Sequence, residues 1–306
     1  MAVKRSAVSW CDPGPPKLIG PLACRTKGFN GVPVLLLHGL LGSSRFWGGD
    51  YDELAADGRL VVVDLLGFGL SPRPPGRYDA DAHVDAILAT LDDLGIGDAV
   101  VIGAHSFGAI VAAAFAERAP ARVAGIIMFG PPVYTSEGQA RQRLAGLGGM
   151  ARLFARDTAF AERVCRWMCA HRTLAATIAV IARPDLPAPI ARDSVQHNWM
   201  SYSRSMRNII LGDTAHHVSV AVDALATTAP HGAKRIATPI VMIIGKKDRV
   251  PDPAVVRMLA EKHRGVRTER WDGGHDLPLR APRRCISMIA SMRQQVALAP
   301  LNEAGR

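Results

Sequence analysis

Gly103-Ala104-His105-Ser106-Phe107-Gly108-Ala109 stands between an apolar run, Ala99–Ile102, and a helix-length stretch, Phe107–Ala119. A serine on so sharp a strand-to-helix turn is held in a strained backbone conformation. The residues two before and two after it must be small, or their Cβ atoms collide. Here those residues are Ala104 and Gly108. The usual pattern is Gly-x-Ser-x-Gly, and Ala104 departs from its first glycine by a single methyl group. The turn predicts a Ser106 Oγ lifted clear of the carboxyl edge of a sheet, above a helix N-terminus. An ordinary βα turn containing serine reads the same in isolation, so the flanking sequence decides.

Working outward, Val34–Leu37, Leu60–Val63 and Val123–Phe129 are nearly continuous apolar runs, as expected of strands covered on both faces. Helix candidates lie between them at Ser43–Ala56 and Asp81–Leu94, the second with Val84, Ile87, Leu88, Leu91 and Leu94 on one stripe. Strand alternating with helix predicts an α/β fold class with a parallel sheet and right-handed crossovers. From Val133 to about Ala233 no strong strand signal occurs, and Pro184, Pro187 and Pro189 divide helix-friendly sequence. A segment of roughly 100 residues is too long for a plain loop. The alternation resumes at Ile240–Ile244, Ala254–His263, Val266–Trp271 and Pro282–Gln295. The expected organisation is a sheet domain in two parts, 1–132 and 234–299, with a helical insertion at 133–233 and a tail at 300–306.

Three further stretches carry chemistry. His38-Gly39-Leu40-Leu41-Gly42 follows Val34–Leu37 directly. Acyl transfer needs two backbone N–H groups aimed at a developing oxyanion, and those of Leu40 and Phe107 are the candidates. Ile240–Ile244 runs into Gly245-Lys246-Lys247-Asp248, and Val266–Trp271 into Asp272-Gly273-Gly274-His275. An acid and a histidine thus fall just past successive strand ends, after the serine in the chain. A serine hydroxyl needs an imidazole to take its proton and a carboxylate to hold the tautomer, so Ser106, His275 and Asp248 are the candidate catalytic residues. Asp64-Leu65-Leu66-Gly67-Phe68-Gly69-Leu70-Ser71 tempts a dinucleotide reading, but the third glycine of that fingerprint is missing and no acidic ribose ligand ends the next strand.

On these residues the chain resembles the α/β-hydrolases, from roughly Val32 to Gln295. The resemblance implies an eight-stranded, mostly parallel sheet with a helical cap inserted after the sixth strand. Some members carry their acid after that sixth strand; here the equivalent place reads Gly130-Pro131-Pro132, without a carboxylate. Members that open epoxides or displace halide use an aspartate nucleophile, which Ser106 replaces. The expected function is a serine esterase acting on a small organic substrate, with no cofactor and no metal. The same triad also suits carbon–carbon bond hydrolysis, or elimination and cyclisation. A ligand-binding protein on this scaffold would be expected to show a broken triad.

Composition narrows the partners. The formal net charge is +10, carried by 30 Arg and 7 Lys among 306 residues. The arginines are scattered with few aromatics among them, which argues against a nucleic-acid groove. No run is apolar enough for a membrane span, and no signal-like h-region occurs. The reading is a cytoplasmic protein with no nucleic-acid or membrane partner, and a homodimer is left open. Five cysteines make no disulfide framework. Cys165 and Cys169, with His171, lack the fourth ligand of a zinc site and read as buried thiols. His105 reads as packing and His263 as solvated. Asp272 and Asp276 flank His275 but lie off the acid strand. Trp199, Tyr202 and Met206 share a helix face that is either core or a substrate wall, and Arg204 and Arg207 beside it are either solvated or ready for a substrate carboxylate.

Overall fold

The computed structural model describes residues 10–147, 158–227, 238–263 and 265–298. Among them, β1 (Lys17–Ile19), β2 (Leu22–Lys27), β3 (Val34–Leu37), β4 (Leu60–Val63), β5 (Val100–His105), β6 (Val123–Phe129), β7 (Ile240–Gly245) and β8 (Val266–Trp271) form one sheet. Its order is β1-β2-β4-β3-β5-β6-β7-β8. Strands β3 to β8 are mutually parallel. β2 pairs antiparallel with both β1 and β4. Helices α1 (Ala80–Asp93) and α2 (Phe107–Arg118) follow β4 and β5.

Every described helix or strand between β6 and β7 is helical: α3 (Glu137–Ala145), α4 (Ala159–Ala170), α5 (Arg172–Ala182), α6 (Ala188–Asp193), α7 (Trp199–Ser205) with a π turn at Met206–Ile210, and α8 (Thr214–Thr227). Helix α9 (Pro253–Lys262) joins β7 to β8, and α10 (Leu277–Arg280) and α11 (Pro282–Leu298) close the chain. The insertion thus leaves the sheet after its sixth strand.

Alternate side chains of the central strands feed two cores. Leu35, Leu37, Val61, Val63, Ile102 and Ala104 pack on one face with α1 and α2. Val34, Leu36, Leu60, Val62 and Val101 pack on the other with Trp47, Tyr51, Ile286 and Ile289. Each fully buried leucine or valine contributes about 1.5–3 kcal/mol relative to exposure. This two-sided burial is why the strands read as unbroken apolar runs. Helix α2 is buried on all sides, and its alanines let it lie close against both the sheet and α8.

The structure departs from the sequence reading in three places. Strands β1 and β2 were not anticipated, because the apolar start of Leu22–Lys27 runs straight into Arg25. That arginine is buried and paired with Asp52, so a charge occupies an inward position. The stretch Ser43–Ala56 is not one helix but two 3₁₀ segments, Ser44–Trp47 and Gly49–Ala55. Gly48 breaks it at φ +61°, a conformation its glycine supplies cheaply. His263 is buried rather than solvated; it ends α9, and its Nε2 lies 2.8 Å from Ser219 Oγ of α8.

Candidate active site

Ser106 ends β5 and begins α2 at φ 51°, ψ −119°, the strained turn its neighbours predict. Its N–H donates to Phe129 O (2.9 Å), tying the turn to the end of β6. At Gly108 the small flank is required by backbone rather than by side chains. A Cβ on Gly108 would lie 2.6 Å from His38 O and 2.8 Å from Leu37 O. Ala104 is fully buried in the sheet core.

His275 follows β8 and Asp248 follows β7, and the parallel pairing of these strands brings the two loops together. His275 Nε2 stands 2.9 Å from Ser106 Oγ, and its Nδ1 stands 2.9 Å from Asp248 Oδ2. The other carboxylate oxygen of Asp248 accepts from the Val250 N–H at 2.9 Å, and the side chain is wholly removed from solvent. With Nδ1–H donated to Asp248, the Nε2 lone pair faces the serine hydroxyl. Burial works to lower the His275 pKa, but the hydrogen bond and charge of Asp248, with the charge of Asp276, outweigh it and hold the imidazole above its ordinary value. Gly130 sits against the pair at φ +58°, where a Cβ would come within 2.9 Å of both Asp248 Oδ2 and His275 Nδ1. A side chain at Gly130 would thus crowd the Asp248–His275 pair.

Leu40 lies in the loop after β3, and Phe107 is the first residue of α2, where the helix itself supplies no acceptor for its N–H. Leu41 turns the loop at φ 62°. A Cβ on Gly39 would lie 2.9 Å from His105 Nδ1 and 3.3 Å from Ser106 Cβ, so this loop lies close over the elbow. Buried His38 anchors it: its Nε2 accepts from the Leu65 N–H (2.9 Å), leaving Nδ1–H to donate to Gly39 O (2.7 Å). Burial holds this imidazole below its ordinary pKa and neutral. Asp64 takes the Ser44 and Leu70 N–H groups, both at 2.6 Å. The Asp64–Ser71 run is thus a structural knot beneath the loop.

His105 does more than pack. Its ring stacks on Phe46 at 4.5 Å, and its Nε2–H donates to the His275 carbonyl at 3.1 Å. Sequence reasoning found the packing but missed this anchor, because nothing in a linear pattern relates residue 105 to a backbone atom 170 positions on. Asp272 pairs instead with Lys246 (2.9 Å). Tyr202 and Met206 are buried in the core, with Trp199 packed against it. Trp199 also lines an open groove of about 570 Å³ with Arg166, Cys169, Arg204 and Arg207. Arg204 donates to Gly76 O. Cys165 is buried, but Cys169 is only half-buried; their sulfurs contact His197 Nε2 (3.6 Å) and His197 O (3.3 Å). No group of three or more His, Cys, Asp or Glu side chains suited to a metal occurs among the described residues.

The model of the alpha/beta hydrolase fold family matches residues 32–279, from the approach to β3 to α10. The chain belongs to the α/β-hydrolases. A probable lysophospholipase of Arabidopsis thaliana, BODYGUARD 4, is 30% identical over 219 residues, covering 66% of this chain and 50% of that protein. The chain spans about half the length of the curated relatives it matches. Two solved α/β-hydrolases illustrate the shared fold. A thermophilic esterase from Thermogutta terrifontis superposes with a TM-score of 0.61 at 22% identity, over 90% of this chain and 94% of that one. An epoxide hydrolase from Bacillus megaterium gives 0.64 at 22% identity, over 89% and 96%. Such likeness fixes the fold, and the chemistry has to be argued from the site.

Proposed function

We propose that this α/β-hydrolase cleaves carboxylic esters of small organic substrates through a covalent acyl-enzyme on Ser106. The observation that carries this reading is the unbroken relay Asp248–His275–Ser106, with both hydrogen bonds at 2.9 Å. His275 Nε2 takes the Ser106 proton as Oγ bonds to the acyl carbon, and the carbonyl π electrons move to oxygen. The Leu40 and Phe107 N–H groups donate to that oxyanion, each worth roughly 2.7–4 kcal/mol in the transition state. Collapse expels the alcohol, which takes the proton from His275. Water then gives a proton to His275 and its hydroxyl to the acyl carbon; the second collapse frees the acid and returns the proton to Ser106. Asp248 stabilises the imidazolium throughout, and no step calls for a metal or an organic cofactor.

Intact-protein mass after treatment with a small fluorophosphonate tests the assignment. One adduct is expected on the wild type and none on Ser106→Ala, with ester turnover lost in the same variant. Ester turnover retained by Ser106→Ala would overturn the reading. A panel of ester, thioester and β-diketone substrates then separates acyl-oxygen cleavage from carbon–carbon cleavage.

A further inference from the structure

Of the large apolar side chains exposed among the described residues, five fall on two consecutive helices of the insertion: Phe160 and Trp167 on α4, and Leu174, Ile178 and Ile181 on α5. Ile181 is 73% exposed and Phe160 57%. The two helices are joined through one residue, His171, whose ring lies 5.2 Å from that of Trp167. Phe160, Arg163, Val164 and Trp167 line an open groove of about 450 Å³. On α5 the exposed residues recur at helical spacing, and Thr173 to Ala182 contains no charged residue. A cluster of this kind exceeds the scattered apolar residues normal for a soluble surface and marks an interaction face.

The charges beside it select the partner. Arg163 is exposed on α4 and lines this groove, while Arg166 is ion-paired at 2.7 Å with Glu162, the single acidic residue of α4 and α5. A second copy meeting this face about a two-fold axis would set Arg163 against Arg163, with Glu162 already committed to Arg166. An anionic lipid surface meets both halves: its headgroups receive the Arg163 guanidinium, and its acyl boundary receives the apolar side chains, with tryptophan at the interface where it is favoured. No helix among the described residues is long and apolar enough to cross a membrane. We propose that α4 and α5 form a peripheral docking face for anionic membrane surfaces, with Trp167, Leu174, Ile178 and Ile181 entering the headgroup–acyl boundary.

Cosedimentation of the Ser106→Ala protein with vesicles tests the face without turnover of lipid. Vesicles of phosphatidylcholine mixed with phosphatidylglycerol are expected to bind it, and phosphatidylcholine alone to bind about tenfold more weakly. Ile178→Glu combined with Ile181→Glu sits on exposed positions and is expected to lower binding by about tenfold or more. Trp167→Phe is expected to keep most binding while removing a vesicle-induced blue shift of tryptophan emission. Absence of cosedimentation with anionic vesicles overturns the proposal. So does undiminished binding by the double glutamate variant, which would reduce the effect to the net charge of +10. A wild-type dimer that the glutamate pair converts to monomer in light scattering would overturn it in favour of self-association.

Discussion

His275 gives its pair with Asp248 opposite consequences for activity and for stability. In the proposed mechanism His275 is the base and must be neutral, so kcat/KM is expected to rise with pH through a midpoint above the ordinary imidazole value, because the Asp248 hydrogen bond and charge raise it against the opposing effect of burial. The same raised pKa contributes stability in full below the unfolded-state value, and that contribution is lost as pH climbs through the folded one. Asp248→Asn is expected to lower kcat by on the order of 10³–10⁴ and to move the acid limb downward, read from a pH–rate profile. His105 is a positioning residue. Burial, then the neighbouring His275, holds it well below the ordinary value, so it stays neutral while His275 titrates. His105→Ala removes the donor to the His275 carbonyl and the Phe46 stack, and should lower kcat about tenfold with little change in KM. His105→Gln, which keeps an N–H donor, should recover part of the loss.

Two glycines show at the scale of elements how closely the loops approach the elbow. Gly108→Ala would press a methyl into the backbone carbonyls of Leu37 and His38, forcing α2 away from β3. A loss of about 1–3 kcal/mol in denaturant unfolding is expected. Gly39→Ala meets His105 and Ser106 instead. In the proposed mechanism the Leu40 N–H then shifts away from the oxyanion, so kcat should fall by about 10²–10³ while the melting temperature barely moves. A pairing of unchanged kcat with a large stability loss at Gly39 would show that this loop only packs. The helix expected over Ser43–Ala56 illustrates the reverse case: its amphipathic pattern is real, but Gly48 lets the chain turn inside it, and Trp47 and Tyr51 reach the core from separate 3₁₀ turns.

Asp252 ties the insertion to the sheet domain. It caps α9 through the Ala254 N–H (2.9 Å) and takes Gln139 Nε2 (2.9 Å) and Arg143 (2.7 Å) from α3. Burial would raise its pKa, but the Arg143 hydrogen bond and the α9 N–H donors prevail and hold it below the ordinary carboxylate value. Its contribution to stability is therefore present above the unfolded-state pKa and lost as pH falls through the folded one. Asp252→Ala should cost about 1–3 kcal/mol by loss of the cap and the charged hydrogen bonds, and should flatten the acid side of a melting-temperature profile.

Ser106, Asp248 and His275 were legible in the sequence because each lies just beyond a strand whose two-sided burial demands an unbroken apolar run, and because the strained elbow admits only small flanks. The parallel sheet and the place of the helical insertion follow from the same alternation. Tertiary structure alone decided what depends on atoms distant in the chain. Strand β2 needed Asp52 to neutralise Arg25, His263 needed Ser219 of another helix, and His105 needed the carbonyl of His275. Tyr202 and Met206 belong to the core, whereas residues at equally helical spacing, Leu174, Ile178 and Ile181, face solvent. Periodicity records that a helix has an apolar face; what that face meets depends on how neighbouring elements pack.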